Sequence, residues 1–202
     1  MIKDLNKRLY AYAMFDGHLA FMGGSNNACL VINMLEEHKD YLDRVIQTLE
    51  ELPVGFNLSA PKIYKADGFE RGQQLRLQSH NHPIFTKIHA RMYIDKHKVF
   101  DPHMGTLLDA EMLAIAFMAD GSCYRDKRWA NSKPTYRLHL NNWTYGDLLL
   151  FKECVKREFG LEINTRKKGL RYDLAVPTFH SELFEEIVRD HILPSFQYKI
   201  ER

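Results

Sequence analysis

Cysteine is scarce in this chain and never paired in sequence: Cys29, Cys123 and Cys154 stand far apart, and none belongs to a CxxC motif. That spacing excludes a zinc ribbon and suits a reducing compartment without disulfides. Long apolar runs are missing too. Nothing approaches the ~20 residues that span a bilayer, and the opening MIKDLNKRLY lacks the apolar stretch of a secretion signal. The expectation is an intracellular, non-secreted protein with no membrane partner. Net charge is only +2, which excludes a uniformly basic coat but leaves room for charge sorted onto one surface.

The chain does contain an internal echo. LYAYAMFDG at Leu9–Gly17 resembles LAIAFMADG at Leu113–Gly121, an offset of 104 residues in a chain of 202 that is 45% hydrophobic. The residues after each copy are also alike. Beyond Gly17, alternating residues, a GGSNN turn and CLVIN read as a hairpin; beyond Gly121, SCYRDKRW, ANSKP and TYRLHLN do the same. Tyr41, Leu42, Val45, Ile46, Leu49 and Leu52 recur at helical spacing, as do Leu150, Phe151, Cys154, Val155 and Phe159. Each half then has two further strand-like runs, NLSAPKIYK with QQLRLQS and LEINTRK with LRYDLAV. Helical segments near 83–93 and 181–192 close the halves. The order is therefore α-β-β-α-β-β-α twice, over 1–104 and 105–202. This predicts an α+β fold of two antiparallel sheets, helices on one face of each, with the halves related by a pseudo-twofold axis.

Basic residues cluster where those strands and turns fall. Arg125, Lys127, Arg128, Lys133 and Arg137 face a lone Asp126, and Arg166, Lys167, Lys168 and Arg171 face no acid; the first half adds Lys62, Lys65, Arg71 and Arg76. Solvated loops are the ordinary outcome of such runs. On open sheet faces they would grip a polyanion.

Each echoed helix ends on an aspartate, Asp16 or Asp120. A helix C-terminus is partly negative, so a carboxylate there costs a few tenths to ~1 kcal/mol. The neighbouring glycines, Gly17 and Gly121, are expected in the left-handed conformation of a helix stop. One isolated DG would mean no more than that. Two copies mean more, because Ala11 and Ala13 in one helix and Ala110, Ala114, Ala116 and Ala119 in the other would allow close backbone approach. Helices packed side by side would bring both carboxylates together and require cations, and few hard oxygen ligands completed by water and phosphate suit Mg²⁺.

With these residues in view the sequence resembles the LAGLIDADG homing endonucleases in their single-chain, two-motif form, over nearly its whole length. LLDAEMLAIAFMADGS carries the stronger motif, LYAYAMFDG a degenerate one, and the closing LPSFQYKI resembles the family's end-of-repeat pattern. Phe15, Tyr10 and Tyr12 depart from the motif's small residues. The resemblance implies a saddle of two sheets lying along the DNA major groove, with the motif helices at the interface. It implies that Asp16 and Asp120, with adjoining Gly17 and Gly121, hold Mg²⁺ or Mn²⁺, and that a lysine from each half assists: Lys199 in QYKI and Lys98 in KHKVF, with Lys96 a rival. The implied activity is site-specific cutting of double-stranded DNA by a monomer, across the minor groove with short 3′ overhangs, from a mobile intron or intein-like element. An RNA maturase that acts on intron RNA, or a non-catalytic DNA-binding protein on the same scaffold, is the alternative.

Arg and Lys on such strands read guanine and Asn and Gln read adenine. The candidate DNA contacts are Lys65, Arg71, Gln73 and Arg76 in the first half, and Arg125, Lys127, Arg137, Arg166, Lys168 and Arg171 in the second. The halves differ at these positions, which predicts an asymmetric or pseudo-palindromic target. Five histidines lie between His80 and His103, including a literal HNH at His80–His82, without zinc-site spacing. Surface or capping roles are expected for them, and capping of the second motif helix for Asp109 and Glu111.

Overall fold

Both DG-terminated apolar segments form helices. A computed structural model describes residues 2–66, 69–125, 133–140 and 142–200, with the side chains of 2–6, 64–66, 69 and 71 left aside. The chain divides into two compact units, Met1–Arg91 with Leu193–Ser195, and Met92–Ile192 with Phe196–Arg202.

The first unit runs α1 (Ile2–Phe15), β1 (His18–Phe21), β2 (Ala28–Leu35), α2 (Lys39–Glu51), β3 (Phe56–Leu58), β4 (Lys62–Ala66), β5 (Phe69–Ser79) and α3 (Pro83–Met92). Gly23 and Gly24, both at positive φ, turn the β1–β2 hairpin. The sheet is antiparallel in the order β1-β2-β5-β3, with β4 also on β5. The single strand expected over NLSAPKIYK is two strands. Pro61 lies between them and has no N–H to give a ladder, so β3 pairs with the end of β5 and β4 with its beginning. Along β5, Leu75 and Leu77 turn into the core and Arg76 stays exposed. The core beneath that sheet includes Tyr41, Leu42, Val45 and Leu49 of α2, and α1 is buried all round from Leu9 to Phe15. Tyr12 and Tyr41 meet edge to face at 5.5 Å.

The second unit opens with a hairpin, β6 (Tyr93–Ile94) and β7 (His97–Lys98), whose two turn residues Asp95 and Lys96 both have positive φ. It continues through α4 (Pro102–Leu107), α5 (Ala110–Asp120), β8 (Gly121–Tyr124), β9 (Thr135–Leu138), α6 (Tyr145–Phe159), β10 (Asn164–Lys168), β11 (Arg171–Ala175) and α7 (Ser181–Val188), with an antiparallel sheet ordered β10-β11-β9-β8. The predicted α-β-β-α-β-β-α order is present from α5 to α7. Asp109 caps α5 as expected, accepting from Met112 N–H at 2.9 Å. Thr144 and Asp147 form a capping box on α6, and Gly160 ends it in the left-handed conformation. One face of α6 differs from expectation. Leu148, Phe151, Cys154 and Val155 are buried whereas Leu150 is exposed, because the helical period from Phe151 reaches Leu148. Helix α5 is buried on every side from Met112 to Met118, and Phe117, Tyr136 and Phe184 form an aromatic cluster with centroids 4.9–5.6 Å apart.

The closing LPSFQYKI is shared. Ser195 belongs to the first unit, where its N–H and Oγ donate to the two Asp40 carboxylate oxygens at 3.0 and 2.6 Å and its Oγ meets His38 Nδ1 at 3.1 Å. Phe196 onward, including Lys199, belongs to the second. No helix among the described residues is long and apolar enough to cross a membrane.

Candidate functional site

The two motif glycines differ from expectation in a way that defines the helix ends. Gly121 has φ −90° and ψ 153°, ordinary extended backbone that starts β8, and Gly17 is not among the positive-φ glycines. Glycine is required for space instead. A Cβ on Gly17 would come within 2.8 Å of Leu30 Cδ1, 3.0 Å of Ile32 Cγ1 and 3.1 Å of Tyr12 O, and one on Gly121 would collide with the ring and carbonyl oxygen of Phe117. Helix α5 therefore passes directly into β8, and α1 reaches β1 through Asp16 and Gly17 alone, so each aspartate stands at a helix-to-strand junction.

At the end of α5 the electrostatics are built from four elements of one unit. Burial pushes the Asp120 carboxyl above the ordinary value of 3.8, and Lys199, His139 and Lys98, in that order, pull it back. Lys199 Nζ donates to Met118 O at 2.6 Å and Phe117 O at 3.4 Å, placing a cation on the negative helix end. It also lies over the Phe117 and Phe196 rings. His139 donates its backbone N–H to Asp120 O at 2.8 Å. Lys98 occupies β7, opposite Tyr93, whereas Lys96 is an exposed turn residue with φ 68°. Of the two rivals it is therefore Lys98 whose charge bears on Asp120. In the first unit Asp16 follows α1 with its N–H directed to Tyr12 O at 3.3 Å, and its Oδ2 is shut off from solvent. Among the described residues no three or more His, Cys, Asp or Glu gather to hold a metal ion; each motif offers a single carboxylate.

Strand register sorts the candidate DNA contacts by face. In the second unit Ser122 pairs with Arg137, Arg137 with Ala175, Arg166 with Asp173 and Lys168 with Arg171. Arg137, Arg166, Lys168 and Arg171 thus share the face opposite to Tyr136, Leu138 and Leu174, which are core. Arg137 also stacks over Tyr124 at 5.7 Å. Arg125 is exposed just beyond β8, and Lys127 lies outside the described residues. In the first unit Arg76 pairs with Asn33, and Gln74 and Gln78 share its outward face. Gln73 falls on the other parity, beside Leu35, Glu36, Glu37 and Gly72. Lys65 lies on β4 and Arg71 on β5 by backbone. Asn33, Gln74 and Gln78 share the face of Arg76 without having been among the expected contacts, and their alternation with it marks them. His139 likewise falls in step with Thr135 and Arg137 in TYRLHLN. His82 takes a capping role, its Nδ1 accepting from Ile84 N–H at 3.3 Å.

A profile of the LAGLIDADG DNA endonuclease family matches residues 14–184. Among solved structures the chain is similar to the homing endonuclease I-WcaI bound to its DNA recognition sequence, with TM-score 0.81 and 18% identity over 98% of this chain and 86% of that one. It is similar also to the N-terminal LAGLIDADG domain of DUF199/WhiA (TM-score 0.56, 13% identity, 98% and 87% covered) and to the LAGLIDADG meganuclease I-AabMI bound to uncleaved DNA (0.53, 13%, 97% and 88%). At such identities these likenesses establish a shared fold.

Proposed function

The chain belongs to the LAGLIDADG DNA endonuclease family, and from that membership we propose that it is a site-specific endonuclease that hydrolyses both strands of a duplex. The halves 1–104 and 105–202 act as the two repeats, and each supplies one motif aspartate, Asp16 after α1 and Asp120 at the end of α5. The observation that carries the reading is the setting of Asp120: a desolvated carboxylate at a helix end with Lys199, His139 and Lys98 turned on it.

Mg²⁺ or Mn²⁺ fits this donor set. Magnesium uses one or two carboxylates and completes its shell with water and phosphate oxygens, so single carboxylates from each motif suffice where a full side-chain cage is lacking. Asp16 and Asp120, with Gly17 and Gly121 fixing where each stands, would be the protein's ligands for such an ion, and the ion would supply positive charge against the phosphodiester oxygens. The protein does the rest. Lys199 and Lys98 stabilise charge as water attacks phosphorus and the phosphodiester bond breaks. The outward faces carrying Arg76 and, in the other sheet, Arg137, Arg166, Lys168 and Arg171 seat the duplex in its major groove, and Lys65, Arg71, Gln73, Arg125 and Lys127 are further candidate contacts. Because the two sets differ, the site is asymmetric or pseudo-palindromic, and a single chain suffices as a monomer.

The test is selection from a randomised duplex library with Mg²⁺, followed by sequencing of cut ends. A single recovered sequence cut on both strands is expected, and Asp16→Asn with Asp120→Asn should abolish cutting while leaving binding intact. Binding without cutting at any protein concentration would overturn the nuclease reading in favour of a non-catalytic DNA or intron RNA binder.

A further inference from the structure

Three polar side chains of the second unit form a line that the proposed chemistry does not use. Ser122 Oγ stands 2.8 Å from His139 Nε2, and His139 Nδ1 stands 3.2 Å from Asp173 Oδ2. A carboxylate only accepts, so the ring nitrogen facing it carries a proton. In the neutral ring Nε2 is then the acceptor, and the Ser122 hydroxyl donates to it. With its proton committed, Ser122 Oγ offers lone pairs alone to anything that arrives.

Asp173 is an expensive way to build a strand. It is 3% exposed, and among the described residues its Oδ1 has no hydrogen-bond partner, while Lys168 Nζ stands 4.0 Å from its Oδ2. A half-satisfied buried carboxylate costs stability that alanine or threonine would not. Its visible effect is to fix the imidazole of a residue that reaches the candidate site twice. The His139 backbone donates to Asp120 O, and its side chain holds Ser122, two residues past Asp120 on β8. Ser122 pairs with Arg137, so its hydroxyl belongs to the same outward face as the basic residues.

We propose that Ser122, His139 and Asp173 form a positioning relay that presents Ser122 Oγ as a hydrogen-bond acceptor to the attacking water beside Asp120. One O–H of the water engages Ser122, which limits its rotation and turns a lone pair toward phosphorus. The relay rests on the nuclease reading and adds three residues that no motif marks.

Two measurements test it. In metal-free protein labelled with ¹⁵N-histidine, long-range ¹H–¹⁵N correlations report the tautomer of His139 without any DNA. The Nδ1–H form is expected, and Asp173→Asn, which puts an amide donor opposite Nδ1, should shift the ring toward Nε2–H. The second measurement is single-turnover cutting of the duplex recovered from the library. Ser122→Ala and Asp173→Asn should slow the cutting step by about 10-fold or more, leave affinity for that duplex without Mg²⁺ unchanged within about 3-fold, and Ser122→Thr should restore most of the rate. An Nε2–H ring in the wild-type protein, or Ser122→Ala cutting at the wild-type rate, overturns the relay alone. Wild-type protein that cuts no duplex overturns the nuclease reading, and the relay's role with it.

Discussion

Lys199 Nζ donates to Met118 O at 2.6 Å, closing the last turn of α5 with an ammonium group two residues before Asp120. The contact serves two ends at once, since it satisfies a helix carbonyl and is the strongest charge drawing the Asp120 carboxyl down against its burial. Lys199→Met should therefore lower unfolding free energy by about 1 kcal/mol through loss of the cap. It should also let the Asp120 carboxyl rise further, so ionisation needs a higher pH. Single-turnover cutting against pH should show the acid limb of the profile moved upward; an unmoved limb would mean that Lys199 acts on the helix alone.

Asp120 itself opposes folding at neutral pH. Its carboxyl in the folded state titrates above the ordinary 3.8, so the folded protein holds the proton more tightly than the unfolded chain does. Below pH 3.8 both states are protonated and no penalty exists; as pH rises through the folded value, stability is lost. Asp120→Asn should consequently be more stable than wild type at pH 7, with the difference shrinking toward zero near pH 3, by urea unfolding at the two values. Added Mg²⁺ should raise the melting temperature of wild type more than that of the variant.

The parts of the fold and site that are legible in the sequence are those whose signal repeats. The echo of Leu9–Gly17 in Leu113–Gly121 is legible because duplication repeats spacing, and the strand alternation that sets Arg137, Arg166, Lys168 and Arg171 on one face is legible because a period of two is local. Single residues break the pattern. Pro61 divides one expected strand into two, and positive φ at Gly72, with the irregular β4 register between Ile63 and Lys65, accompanies Gln73 on the opposite parity from Arg76. Glycines 17 and 121 are needed for packing against Leu30, Ile32 and Phe117, which composition near a helix end cannot distinguish from a left-handed stop. The association of Ser122, His139 and Asp173 joins three strands' worth of chain and carries no local spacing at all.

The tight passage from α5 into β8 predicts a large effect from the smallest substitution. Gly121→Ala adds a methyl group where the Phe117 ring and carbonyl oxygen already stand, and both are fixed, the ring by Tyr136 and Phe184 and the carbonyl by the helix. Relief requires backbone movement at the junction, at about 1–3 kcal/mol. Chemical denaturation should show that loss, whereas Gly160→Ala, which has open space but a left-handed backbone, should lose less through strain alone.

Adjacent lysines on β10 separate the two faces of the second sheet. Register places Lys168 opposite Arg171 and on the outward side with Arg137, while Lys167 pairs with Tyr172 on the other parity. Each phosphate neutralised by a lysine releases condensed counterions, so the slope of log affinity against log salt counts the contacts. Lys168→Ala should reduce that slope by about 1 and weaken binding across duplex sequences alike, and Lys167→Ala should leave the slope nearly as in wild type. Fluorescence anisotropy with a labelled duplex at several salt concentrations measures both. Equal reductions would mean that the β10–β11 ribbon meets the backbone from both sides, and that strand parity does not define the DNA face there.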